Sequence, residues 1–230
     1  MRNGKCSGLP ISPFYHFPIY PKVFMAFVKI CGITNLEDAL LSAAAGADAL
    51  GFNFYRPSPR YIEPLAARQI IDRLPGNVLT VGVFVNEPTP ETVERIASDA
   101  GVAAVQLHGD ESPDYCRALR SWYVIKVLTA GNYFEPQRAL DYEVEAIMLD
   151  SFDPQMRGGT GRVMDWSVAQ KTRALVPRLF LAGGLAADNV RYAIAAVDPY
   201  GVDACSRLEI SPGKKVPERV EAFVNAARVA

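Results

Sequence analysis

The stretch Val28-Lys29-Ile30-Cys31-Gly32-Ile33-Thr34 is the most informative feature of this chain. It predicts a short apolar strand that ends on a cysteine, then a glycine turn, then a helix that begins at the capping pattern Thr34-x-x-Glu37. The same order returns at 146–150, where an apolar run ends on Asp150. A thiol and a carboxyl at two strand ends predict an acid–base pair at the mouth of one fold.

Strand and helix patterns alternate from this stretch to the end of the chain. The strand patterns are continuous apolar runs, which indicates burial on both faces, as in a parallel sheet. Thr89-Pro90 and Ser112-Pro113 each place a capping residue before a proline, which is typical of helix starts. Eight such units favour an α/β fold with a single (β/α)8 barrel, a TIM barrel, and a doubly wound open sheet is the alternative. The predicted strands are 27–31, 49–54, 79–85, 103–107, 123–127, 146–149, 179–181 and 201–205.

Length and composition fit one catalytic barrel domain at 25–230, preceded by a short N-terminal extension at 1–24. The extension holds four of the prolines and no acidic residue, and we expect it to be disordered or dispensable. The net charge of −1 among 230 residues gives no electrostatic footprint for nucleic acid. No apolar run is long enough to predict a membrane span.

The cysteines and histidines do not form a metal-binding pattern. The four cysteines are widely spaced without a CxxC pair, and the sequence holds only two histidines. We therefore predict no metal site, and thiols that stay reduced in the cytoplasm.

Active sites of such barrels lie at the C-terminal ends of the strands, so Cys31 and Asp150 are candidate catalytic residues. Cys31 could equally be a buried structural cysteine, because free cysteines are among the most buried residues. Lys29, two residues earlier on the same strand face, would lower the pKa of the thiol. Asp150 could instead cap the next segment or pair with an arginine.

Several other strand ends carry groups that could bind a substrate. Gly183, Gly184 and Ser206 follow the seventh and eighth strands, where barrels often bind phosphate through backbone N–H groups, although ordinary tight turns are the alternative. Arg60 lies in a proline-stiffened loop and could bind a carboxylate or face solvent. His108 either lines the site or is a hydrogen-bonded structural histidine. The glycine-rich segment 158–161 is expected to form a mobile lid beside Asp150.

The motifs taken together resemble the phosphoribosylanthranilate isomerase family over roughly residues 26 to 215. The resemblance implies a cofactor-free Amadori rearrangement in tryptophan biosynthesis, an aldose–ketose isomerisation of a phosphorylated small-molecule substrate. The enzyme would be a monomer or a homodimer. The resemblance rests on Lys29-Ile30-Cys31-Gly32-Ile33-Thr34, Gly51-Phe52-x-Phe54, Ser58-Pro59-Arg60-Tyr61-Ile62, Val81-Gly82-Val83-Phe84-Val85-Asn86, Gln106-Leu107-His108-Gly109, Leu149-Asp150, Gly158-Gly159-Thr160-Gly161, Gly183-Gly184-Leu185 and Pro212-Gly213-Lys214-Lys215.

The resemblance also implies roles for individual residues. Asp150 matches the general acid, which protonates the ribose ring oxygen, and Cys31 matches the base, which removes the C2 proton. Arg60 matches the arginine that holds the anthranilate carboxylate, and Asp203 matches an aspartate that faces the substrate. Arg207 departs from the family pattern, because the family usually has glycine there. Its backbone could be strained or its side chain could touch the phosphate, and we expect the side chain to point outward.

Two other functions remain open at this stage. One is another phosphosugar isomerase on a phosphate-binding barrel, of the type found in histidine biosynthesis, for which resemblance implies two aspartates. The cysteine of the first strand argues against it. The other is a non-catalytic barrel, against which the joint presence of Cys31, Asp150 and Arg60 argues.

Overall fold

A computed structural model describes residues 25–131, 133–150 and 166–229, and it shows a closed barrel of eight parallel strands. The strands follow one another around the barrel in chain order, and the eighth pairs with the first. This architecture confirms the predicted (β/α)8 barrel, although individual strand bounds differ from the predicted ones by one or two residues. The strands are β1 Phe27–Ile30, β2 Ala49–Asn53, β3 Leu79–Phe84, β4 Ala104–Leu107, β5 Tyr123–Thr129, β6 Ala146–Asp150, β7 Leu179–Ala182 and β8 Gly201–Ala204.

Helices cover the outside of the barrel. The connection between β5 and β6 carries a 3-10 helix, Pro136–Asp141, in the described residues. A short hairpin, β9 Glu209–Ser211 and β10 Lys214–Lys215, follows β8. The α-helices are α1 Leu36–Ala44, α2 Pro64–Ile71, α3 Pro90–Ala100, α4 Pro113–Ala118, α5 Trp166–Leu175, α6 Val190–Val197 and α7 Pro217–Arg228.

The observed capping residues match the predicted ones at two helix starts and differ at a third. The side chains of Thr89 and Ser112 accept hydrogen bonds from backbone N–H groups, as the Thr-Pro and Ser-Pro pairs predict. The predicted cap at Thr34 is wrong, because Asn35 accepts the N–H of Asp38 at 2.8 Å. The Thr34 hydroxyl instead donates to the carbonyl of Gly213 at 2.6 Å, which ties the first loop to the hairpin after β8.

Two apolar layers hold the barrel together. The larger one lies between the strands and the helices, and a smaller one, including Val81, Ile125 and Met148, fills the barrel interior. At the N-terminal end, the Phe27 ring contacts Phe180 edge-on and stacks on Tyr200, with centroids 5.8 and 5.7 Å apart. This aromatic floor closes one end of the barrel, so the polar interior side chains lie near the other end.

Closure of the barrel places the first and last strands side by side. The Cα partners across this seam are Lys29 with Asp203 and Ile30 with Ala204, and the N–H of Cys31 donates to the Ala204 carbonyl at 2.9 Å. Residues more than 170 positions apart in the sequence therefore meet at the C-terminal end of the barrel. In the described part of the chain, no helix is long and apolar enough to cross a membrane.

Candidate active site

Cys31 lies directly after β1 at the barrel mouth, with 9% of its surface exposed. A hydrogen bond from the Cys205 thiol lowers its pKa well below the ordinary value, and the charges of Lys29 and Lys215 act in the same direction, against the effect of burial. The Lys215 ammonium also donates to the carbonyl oxygen of Cys31 at 2.6 Å. This environment favours the thiolate, which is the form that can accept a proton.

A buried ion pair lies next to this thiol on the same inner face. The Lys29 ammonium contacts an Asp203 carboxylate oxygen at 2.8 Å, and their side chains are 0% and 9% exposed. Burial raises the pKa of Asp203 to about 6, although Lys29 opposes that rise. Burial lowers the pKa of Lys29. Asp203 and Cys31 together outweigh burial and raise that pKa above the ordinary value. The lysine predicted to act on the thiol is therefore shared with Asp203.

Asp150 ends β6 and is oriented by a histidine and a glutamine. Its Oδ2 lies 3.2 Å from Nε2 of His108, and Nδ1 of that ring lies 3.1 Å from the side-chain amide nitrogen of Gln106. With the amide donating to Nδ1, the neutral ring carries its proton on Nε2 and donates to Asp150. His108 therefore lies at the site, and it holds the Asp150 carboxyl in place rather than standing apart from it.

Arg60 reaches the barrel mouth from the loop after β2, where 22% of its side chain stays exposed. Its Nε and Nη2 donate to the Glu209 carboxylate at 2.6 to 3.0 Å, and Lys215 contacts the same carboxylate at 2.9 Å. Among the described residues, the Nη1 group of Arg60 has no hydrogen-bond partner. The guanidinium is thus fixed on one edge, and its other edge can bind an incoming carboxylate.

The residues predicted to bind phosphate lie on two neighbouring loops. Gly183 and Gly184 follow β7 with φ of +91° and +65°, and Ser206 begins a 3-10 helix after β8. Open space lies where a side chain at Gly184 would point. Barrels use this pair of loops to bind phosphate through backbone N–H groups.

Arg207 joins these two loops. Its Nη2 contacts Asp188 at 2.6 Å, and its Nη1 donates to the Gly184 carbonyl at 3.4 Å. The non-glycine residues with positive φ in the described ranges are Asn86 and Asp198, so the backbone of Arg207 is not strained. Its side chain is half-exposed and points along the rim, in agreement with the expected outward direction.

Lys126 is a charged residue of the barrel wall whose side chain does not enter the site. It lies on β5 between two residues that face the barrel interior, so its side chain points outward into the helix layer. There it is 1% exposed and pairs with Glu111 at 2.6 Å.

The predicted lid at 158–161 and the extension at 1–24 lie outside the described residues.

The sequence did not single out Cys205, Glu209, Lys215 or Gln106 as site residues, yet all four contact predicted ones. Cys205 and Lys215 carried a usable signal, because Cys205 shares the strand face of Asp203 and Lys215 lies in a recognised motif. Gln106 also lies in a recognised motif, next to His108, and Glu209 carried no such signal. Within the described ranges, no group of three histidine, cysteine or acidic side chains is arranged to hold a metal ion.

A family model and curated relatives identify the family of this chain. A model of the family described as N-(5'phosphoribosyl)anthranilate (PRA) isomerase matches residues 28–226. The chain is 50% identical over 208 residues to a Desulforudis audaxviator protein named N-(5'-phosphoribosyl)anthranilate isomerase, with 90% of this chain and 100% of that protein covered.

Solved structures give the same result. A phosphoribosyl anthranilate isomerase in complex with reduced 1-(o-carboxyphenylamino)-1-deoxyribulose 5-phosphate is 44% identical, with a TM-score of 0.81 over 90% of this chain and 100% of that one. A structure of monomers generated from the dimeric Thermotoga maritima enzyme is 43% identical, with a TM-score of 0.80 and the same coverage.

Proposed function

The chain belongs to the N-(5'-phosphoribosyl)anthranilate isomerase family, and on that premise we propose that Asp150 and Cys31 are its general acid and general base. The reaction converts N-(5-phosphoribosyl)anthranilate to 1-(2-carboxyphenylamino)-1-deoxyribulose 5-phosphate in tryptophan biosynthesis. The observation that carries the assignment is the position of both groups at one barrel mouth, the thiol among cations and the carboxyl held by His108. An acid and a base placed across one opening can act on two atoms of one sugar.

The first step assigns a proton donation to Asp150. Asp150 protonates the ribose ring oxygen while the bond from that oxygen to C1 breaks, and the anthranilate nitrogen becomes part of an iminium group. His108 contacts the Asp150 carboxyl at 3.2 Å and fixes its direction toward the substrate. His108 is thus a positioning residue in this step.

The second step assigns proton removal to Cys31. The thiolate takes the C2 proton, the electrons of the C–H bond form a C1–C2 double bond, and the iminium nitrogen becomes neutral. The resulting enol-amine then becomes the ketone by moving a proton from the C2 hydroxyl to C1. Cys205, Lys29 and Lys215 lower the pKa of Cys31 and so favour the thiolate that this step needs. These steps need acid and base groups and no cofactor.

The remaining predicted residues bind the substrate in this proposal. The free edge of Arg60 takes the anthranilate carboxylate, since a planar guanidinium matches a carboxylate geometrically. The backbone N–H groups at Gly183, Gly184 and Ser206 take the phosphate. Asp203, held by Lys29, faces the sugar from the inner face of β8.

The two rival functions find no support in the comparisons, which name the anthranilate isomerase. A direct test is complementation of a tryptophan auxotroph that lacks only this isomerase. Growth without tryptophan supports the proposal, and growth failure by a well-expressed, folded protein would overturn it.

The acid and base roles need a separate kinetic test. Cys31→Ser and Asp150→Asn should each lower kcat by at least about a hundredfold, because a positioned acid or base contributes about 10²–10⁴-fold. The unfolding midpoint should stay close to that of the parent protein. Near-parental kcat in either folded variant would remove that residue from the mechanism.

Assembly and location follow the same family argument. We propose a monomer or a homodimer working in the cytoplasm, where the other steps of amino-acid biosynthesis would supply its substrate. Light scattering on the purified chain and cell fractionation test these two points.

A further inference from the structure

The active-site thiol has a second cysteine as its direct neighbour. Across the β1–β8 seam the Cα partners are Lys29 with Asp203 and Ile30 with Ala204, so Cys31 and Cys205 are the next residues along the two strands. Adjacent strands lie about 4.7–4.9 Å apart. That spacing falls within the Cα separation of about 4.4–6.8 Å that a disulfide spans.

Side-chain interactions also link the two thiols. Cys205 lowers the pKa of Cys31, and its own thiol donates to a Glu209 carboxylate oxygen at 3.8 Å. Gly32 makes room for this arrangement, because a Cβ at that residue would lie 2.8 Å from the Cys205 sulfur. Both cysteines are free thiols, and neither is closed off from the barrel mouth, since Cys205 is partly exposed and Cys31 is 9% exposed.

We propose that Cys31 and Cys205 form an oxidative modification site, in which a hydroperoxide converts the two thiols to a disulfide that reversibly switches the enzyme off. This inference goes beyond the proposed isomerase activity, and bond formation itself does not depend on that activity. The substrate class is a small hydroperoxide, including hydrogen peroxide.

The chemistry proceeds in two steps. The Cys31 thiolate attacks one peroxide oxygen, the O–O bond breaks, and the leaving oxygen departs as water or an alcohol after taking a proton. Cys31 is then a sulfenic acid. The Cys205 sulfur attacks the Cys31 sulfur, the S–O bond breaks, and water leaves with the second thiol proton. Two thiols are oxidised by two electrons and one peroxide is reduced by two electrons.

The charges around the pair favour this order of attack. The Cys205 thiol donates to the Glu209 carboxylate at 3.8 Å, and the Cys31 thiolate raises the pKa of Cys205, so Cys205 is the protonated partner and Cys31 the nucleophile. Oxidation of Cys31 to the neutral sulfenic acid removes that negative charge. Lys215 lies 3.9 Å from the Cys205 sulfur and can then stabilise its thiolate for the second step.

Cys116 provides a matched control. It lies in α4, is 1% exposed, and burial raises its pKa to about 11. A thiol in that state is a poor nucleophile. Cys116→Ser should therefore leave the peroxide response unchanged. The experiment uses the full chain with Cys6→Ser in every variant, so that Cys6 cannot enter a mixed disulfide.

The test treats the protein with hydrogen peroxide, removes the peroxide, and adds dithiothreitol. We expect a mass loss of two hydrogen atoms, a proteolytic peptide pair linked through Cys31 and Cys205, and activity that returns on reduction. In Cys205→Ser, Cys31 has no partner and should proceed to the sulfinic acid. The recoverable fraction of activity should then be at least about fivefold smaller, because that state is not reduced by thiols.

Other results would overturn the proposal. They are the absence of the linked peptide in the parent protein, equal recovery in the parent and Cys205→Ser, or loss of the response in Cys116→Ser. The mass and peptide measurements do not use turnover, so a failure of the proposed isomerase function would be seen separately. If Cys205→Ser does not fold, Cys205→Ala and the linked peptide of the parent protein decide the question.

Discussion

Removing one partner of the Lys29–Asp203 pair should cost the protein a large part of its stability. The ammonium and the carboxylate lie 2.8 Å apart, with 0% and 9% of their side chains exposed, so water cannot replace a missing partner. Breaking a buried pair typically costs about 3–5 kcal/mol of the free energy of unfolding, which for a domain is about 5–15 kcal/mol. Lys29→Met and Asp203→Asn should each show a loss of this size.

The two variants should differ in how that loss depends on pH. Lys29→Met leaves Asp203 buried without its cation, and burial already raises the pKa of Asp203 to about 6. A pKa raised by folding contributes stability at low pH that is lost as pH rises through the folded value. The loss in Lys29→Met should therefore be smaller at about pH 5 than at about pH 8.5.

Asp203→Asn should show the opposite dependence. Burial then lowers the pKa of Lys29, and only Cys31 is left to oppose it. A lysine whose pKa is lowered by folding binds fewer protons in the native state, so stability rises with pH above that value. The loss in Asp203→Asn should therefore shrink as pH rises.

Urea unfolding at both pH values measures the free energy of unfolding of the parent protein and the two variants. The midpoints can be compared when the m-value is unchanged. The exposed pair Arg95–Asp99 supplies the control, since its side chains are 66% and 50% exposed and Arg95→Met should cost less than about 1 kcal/mol. Equal pH dependence in the two buried-pair variants, or losses below about 1 kcal/mol, would refute the reasoning.

Three further predictions concern the substrate and the chain start. Arg60→Ala should lower kcat/KM by about tenfold or more, mainly through KM, since a hydrogen bond to a charged group contributes about 1.5–3 kcal/mol; an unchanged value in steady-state kinetics would make Arg60 a rim residue. Arg207→Gly should change substrate affinity less than about tenfold, because a half-exposed ion pair contributes little; a larger loss by calorimetry would make Arg207 a phosphate ligand. A chain starting at Met25 should match the full chain in melting temperature and turnover, as β1 begins at Phe27, and a large drop in either would contradict this.

The barrel could be predicted from the sequence because its signals are local. Apolar runs gave the strands, and Thr89 and Ser112 gave the helix starts that the structure contains. The predicted capping residue of α1 was wrong, and the reason is also local. Thr34 and Asn35 are both good caps with an acidic residue three positions later, and only the contact of Thr34 with Gly213 decides between them.

The site could be predicted only in the members that strand-end or loop position and residue type single out. Cys31, Asp150 and Arg60 were named from position and residue type, and all three lie at the barrel mouth. Apart from the effect of Lys29 on Cys31, the contacts that tune them were not predictable, because they join residues far apart in sequence that closure of the barrel brings together. Lys215 contacts the carbonyl of Cys31 although the two residues are 184 positions apart in the sequence. A local sequence pattern cannot predict such a contact.

Two buried lysines differ in function because their side chains leave opposite faces of the barrel wall. Lys29 shares the inner face of β1 with Cys31, so its charge acts on the site directly. Lys126 points outward from β5, and its ammonium donates to the carbonyls of Leu107 and Gly109 at 3.4 and 2.7 Å.

Those two carbonyls flank His108 in the chain. The pair that Lys126 forms with Glu111 at 2.6 Å therefore fixes the backbone on both sides of His108. His108 in turn orients Asp150. A lysine that points away from the barrel interior thus contacts the backbone on both sides of the histidine that orients the proposed general acid.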